Sequence, residues 1–86
     1  MKRTELLSRL KVQVELIEKQ NLEKVPDVLC SRQDIMDITG AHTIFMAANK
    51  FFNDQEILSV IGNPERKVII LPDDDGIRVY KAPKTV

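Results

Sequence analysis

Apolar side chains recur at three- and four-residue steps near the start of the chain, at Leu6, Leu7, Leu10, Val14 and Ile17. That spacing stacks them on one face of a helix and predicts one from about residue 4 to about residue 23. Thr4 is the expected N-cap, and Glu5 suits the electropositive first turn. Asn21 weakens the last turn, and Pro26 cannot continue the helix because it lacks the backbone donor and crowds the preceding turn. Leu7, Leu10, Val14 and Ile17 alternate in a 3-4-3 pattern over little more than two heptads, and we expect them to form a dimer or partner interface.

The next apolar groups are shorter. Ser31 is placed to accept from the amide of Asp34, a capping-box arrangement with Asp in place of Glu. Ile35, Met36 and Ile38 give the following helix an inward side, and Gly40 supplies a left-handed stop. A further helix is expected over about 42–52, with Ile44, Phe45, Ala48, Phe51 and Phe52 available for packing. Asn53 and Glu56 signal a short helix over about 54–61, with a strand as the alternative and Gly62-Asn63-Pro64 as its stop. Two β-branched runs, 67–71 and 77–81, flank Pro72-Asp73-Asp74-Asp75-Gly76 and predict a hairpin, after which residues 84–86 should fray. The expected fold class is α+β, mainly α: a single domain with a long helix in 1–25, a helix-turn-helix-like core in 30–62 and a β-hairpin in 66–81.

Composition narrows the function classes. The 86 residues hold 43% hydrophobic and 30% charged side chains, ordinary for one small globular domain. No apolar run reaches the roughly 18 residues of a spanning helix, and no signal-peptide pattern opens the chain, so we expect a cytoplasmic protein without membrane contact. Thirteen basic and thirteen acidic residues cancel. Their distribution is uneven, with 1–24 at +2, 25–63 at −3 and 64–86 at +1.

The single cysteine, Cys30, has no partner for an internal disulfide, and one histidine does not complete a Cys/His zinc site. Cys30 reads as a small buried apolar residue. His42 lacks a nucleophile partner at a recognised spacing, so no catalytic residue is assigned and no enzyme is expected. Asp73, Asp74 and Asp75 lack the alternation and distal Glu of a calcium loop, and the three glycines lie too far apart for a phosphate loop. No cofactor or metal is expected.

The stretch "QDIMDITGAHTIFM" has Gln33-Asp34-Ile35 on its first helix, Gly40 in the turn, Ala41 after it and an aliphatic Met46 six residues beyond the glycine. With the hairpin that follows, residues 30–81 resemble small winged helix-turn-helix DNA binders of the MerR-like and excisionase-like kind found in phages and mobile elements. The resemblance implies that the 42–52 helix enters the major groove of double-stranded DNA and that the hairpin touches backbone or minor groove. It would set His42, Thr43 and Asn49 at base edges, with Lys50 and Arg32 near phosphates and Arg66, Lys67, Arg78 and Lys81 as wing contacts. The implied function is a DNA-binding transcriptional or recombination regulator acting as a homodimer.

A second class of function comes from the apolar content of the same helix. Phe45, Met46, Phe51 and Phe52 crowd a short segment, more than one small core face obviously buries, and Met-rich surfaces adapt to partners. The alternative is therefore a small regulator or inhibitor that docks on a partner protein through its apolar helices. An exposed apolar patch would favour docking on protein; basic side chains gathered on one face would favour DNA.

Overall fold

The computed structural model of the protein describes residues 1–61 and 67–83. Its elements are α1 (Arg3–Gln20), β1 (Cys30–Ser31), α2 (Arg32–Thr39), α3 (Ile44–Phe52), α4 (Gln55–Ile61), β2 (Val68–Pro72) and β3 (Gly76–Lys81). The fold is α+β and mainly α, with a long N-terminal helix and C-terminal strands, as the hydrophobic pattern predicts.

The helix boundaries differ from expectation for local reasons. Asn21 adopts φ 51° and ψ 44°, which ends α1 at Gln20 rather than at about 23. Asn is among the few side chains that accept this left-handed conformation. The N-cap position falls on Lys2, which makes no side-chain capping bond, and Thr4 lies inside the helix. Ser31 does cap α2, its Oγ accepting from the amide of Asp34 at 3.1 Å. Gly40, at φ 69°, closes that helix by donating its backbone N–H to the Met36 carbonyl. Thr43 caps α3, so that helix begins at Ile44 and leaves His42 in the turn. The start of α4 is held by Asp54 instead of Asn53, since Asp54 Oδ1 accepts from the amides of Glu56 and Ile57. The expected stop at Gly62-Asn63-Pro64 and the fraying of 84–86 lie outside the described residues.

The sheet has three antiparallel strands in the order β1-β3-β2, so the last strand in sequence is central. Ile70 faces Val79 across β2 and β3, and Ser31 faces Gly76 across β1 and β3. The alternation along β2 and β3 buries Val68, Ile70, Ile77 and Val79 against the helices. The link from α1 to β1, to which the hydrophobic pattern assigns no element, extends this pairing. Lys81 donates its amide to Glu23, Val25 to Val79, and Leu29 to Ile77, at 2.9, 3.0 and 2.8 Å.

One core joins all the layers. Leu6, Leu10, Val14 and Ile17 from α1 meet Ile35, Ala47, Phe51, Ile57 and Ile61 from the other helices and the inward residues of the sheet. This corrects the expected dimer face. Leu10, Val14 and Ile17 are buried and Leu7 packs partly against them, so the 3-4-3 stripe folds onto its own chain and is not free for a second copy.

Candidate interaction face on the third helix

The α2–α3 corner is fixed by short-range bonds. Ala41 donates its amide to the Met36 carbonyl at 3.2 Å, and the Thr39 hydroxyl donates to the Ile35 carbonyl at 2.7 Å. Lys50 reaches back from α3 to the Thr39 carbonyl at 3.3 Å, placing an ammonium at the electronegative end of α2. Turn, caps and lysine together hold α3 in a defined orientation.

The inner side of α3 carries Ile44, Ala47, Ala48 and Phe51, all buried. Its outer side carries Phe45, Met46, Asn49, Lys50 and, just beyond the helix, Asn53. Phe45, which the pattern made available for packing, is 77% exposed, and Met46 beside it is 47% exposed. The Phe52 side chain lies outside what is described. Asn49 is exposed, but its carbonyl and its side-chain oxygen both accept from Asn53 Nδ2, at 2.9 and 3.3 Å. His42 and Thr43 are exposed in the turn, with the Thr43 hydroxyl accepting from the Met46 amide at 3.2 Å.

Each described basic residue expected at DNA has an internal partner. Arg32 donates to the Asp73 carbonyl at 2.9 Å. Lys67 lies 3.5 Å from Glu18 on α1, and Lys81 donates to Asn21 Oδ1 at 2.6 Å. Arg78 is the most committed. Its Nε donates to Asp73 Oδ2 at 2.8 Å, and its Nη1 reaches the carbonyls of Val25, at 3.1 Å, and of Pro26. The side chain is only 12% exposed, so Arg78 fastens the hairpin tip to the α1–β1 link and is not presented as a free wing contact. Arg66 lies outside the described residues. Sequence alone offered one unused hint of this clamp, the opposite charges of Asp73 and Arg78 on either side of a turn.

The acidic tip is a hydrogen-bonded turn. Asp73 Oδ1 accepts from the amides of Asp75 and Gly76, at 2.9 and 3.1 Å, a geometry that favours the reversal. The bond from Arg78 first, and these amides with it, hold the Asp73 carboxyl below the usual carboxylate range. Its contribution is therefore complete above the ordinary value of about 4 and disappears as pH falls through the depressed native value. Thermal melts taken from neutral pH into acid should show a shallower acid loss for Asp73→Asn than for the parent protein. An unchanged acid limb would mean that other carboxylates, such as Asp54 paired with Arg3 at 2.6 Å, set that loss.

The remaining chemistry is sparse. Cys30 is buried, and burial pushes its thiol up to about 12, so it holds no reactive thiolate at neutral pH. Among the described residues there is no group of three or more potential metal ligands, and no helix is long and apolar enough to cross a membrane. No family model, curated protein or solved structure matches this chain.

Proposed function

We propose that the protein is a small regulatory module that docks on a partner protein through the outer face of α3. The observation that carries this reading is the exposure of Phe45 and Met46 side by side on the first turn of a helix that buries Ile44, Ala47, Ala48 and Phe51 on its other side. An aromatic ring covers a large area at small entropic cost, and such anchors supply much of the energy at protein interfaces. The neighbouring methionine adapts to the shape of a partner. Formal neutrality and the internal pairing of Arg32, Lys67, Arg78 and Lys81 support a protein partner over a polyanion.

A photo-crosslinking residue at position 45, compared with one at exposed Gln20, tests this in cells. The expected result is a discrete adduct from position 45 that Met46→Asp removes. Because Phe45 is exposed, Phe45→Ala should weaken association with the captured partner by about 2 kcal/mol, roughly thirtyfold, while leaving the melting curve in place. Equal or absent labelling at the two positions would count against α3 as the docking face.

A second reading, a DNA-binding transcriptional or recombination regulator of phage or mobile-element type, is favoured by the order of the elements. A capped helix, a four-residue turn and a helix with exposed Asn49 and Lys50 precede an antiparallel hairpin. In that role Phe45 would contact thymine methyls. Fluorescence anisotropy against mixed duplex DNA separates the two. Affinity that falls steeply with salt and is weakened by Lys50→Ala and Lys67→Ala supports DNA, and no binding at low salt supports a protein partner.

A further inference from the structure

We propose that the solvent-facing stripe of α1 pairs with a second copy of this chain, the two helices lying antiparallel about a two-fold axis at Val12. This surface is the reverse of the buried Leu10, Val14 and Ile17 face and is independent of α3.

Val12 is 58% exposed at the middle of the helix, and Leu16, one turn on, is partly exposed beside it. The shallow groove between α1 and residues 25–28 adjoins this surface, with Val12, Leu16, Val25 and Val28 in its walls beside the polar Arg9, Gln13 and Asp27. The charges around it have a symmetry that selects the occupant. Glu5 and Lys19 stand seven residues before and after Val12, and Arg9 and Glu15 stand three before and after. All four residues are exposed.

In an antiparallel two-fold pair, a residue before Val12 meets the one equally far after it on the other copy. Glu5 then faces Lys19 of the second copy, Arg9 faces Glu15, and each pair occurs twice. Ser8, small enough to leave room, faces Leu16, and Val12 meets its own counterpart. A parallel pair would bring Lys19 onto Lys19 and Glu5 onto Glu5, so charge specifies the antiparallel arrangement by penalising the other. Glu15 and Lys19 already lie 3.8 Å apart within one copy, which holds both heads along the stripe. Arg9 has one guanidinium nitrogen on the Leu29 carbonyl at 3.1 Å, leaving its other donors for Glu15 of the second copy.

One helix pair buries less than the ~1,000 Å² of a stable complex, so the association should be weak, with a dissociation constant on the order of 10–100 µM. Sedimentation equilibrium of the full chain, from about 5 to about 500 µM, brackets that range. The expected result is a reversible monomer–dimer equilibrium. Val12→Asp and Lys19→Glu should each raise the dissociation constant about tenfold or more, with melting curves like the parent's because both sites are exposed. Adding Glu5→Lys to Lys19→Glu should return the constant toward the parent value. A monomer throughout the range would overturn the proposal. So would a dimer indifferent to Val12→Asp, or a charge exchange that restores nothing.

Discussion

Gly76→Ala is expected to cost about 3 kcal/mol or more, enough to leave much of so small a domain unfolded at physiological temperature. Gly76 begins β3 directly opposite Ser31, and it is buried. A Cβ at this position would overlap the carbonyl oxygen of Cys30 and lie 3.1 Å from both the Cys30 carbonyl carbon and the Ser31 Cα. These are backbone atoms, which cannot turn aside as a side chain does. Relief requires β1 to part from β3. Ser31 is also the N-cap of α2, so that separation would carry the helix start with it. For a domain of this size a loss of ~3 kcal/mol lowers the melting temperature by about 12–24 °C. A circular-dichroism melt of Gly76→Ala within a few degrees of the parent would show that β1 has room to retreat.

The second large effect concerns α1. Leu10→Ala should remove about 3 kcal/mol, because Leu10 is fully buried and the truncated side chain leaves a cavity among atoms that close on it only in part. Val12→Ala on the same helix should change stability by less than about 0.5 kcal/mol, since that side chain is mostly in water. Urea unfolding of the two variants at a concentration where the protein is monomeric compares them directly. Similar losses would contradict the assignment of inner and outer faces. If Leu10→Ala were harmless to the monomer yet weakened dimerisation, Leu10 would belong to an intermolecular surface.

What was legible in the sequence was local. Ser31 capping Asp34, Gly40 closing a helix and the aspartate-rich turn before Gly76 all depend on groups a few residues apart, and each formed where its chemistry required. The periodicity of α1 located an apolar face but carried no information on what would cover it. Leu10, Val14 and Ile17 suit a coiled-coil seam and a monomer core equally well. Phe45 shows the same limit in reverse, since a helix apolar on most sides does not declare which aromatic faces out. Pairing of residues 23–31 with β3 left no hydrophobic alternation because backbone amides and carbonyls make it, with Pro26 interrupting the run. Charge was the least legible property. Arg78 reads in sequence as a free cation on a wing, whereas two backbone carbonyls and an aspartate take up its donors.

The central place of β3 has a consequence during synthesis on the ribosome. β1, the 23–29 link and β2 all find their strand partner in residues 76–81, so none of their pairings can form while that segment is still being made. Helices α1 to α4 emerge first, with Val68, Ile70, Ile77 and Val79 not yet there to cover their inner faces. The nascent chain therefore carries the sheet-facing part of its helices uncovered until residues 76–81 are added, a window in which chaperone binding or premature self-association competes with folding.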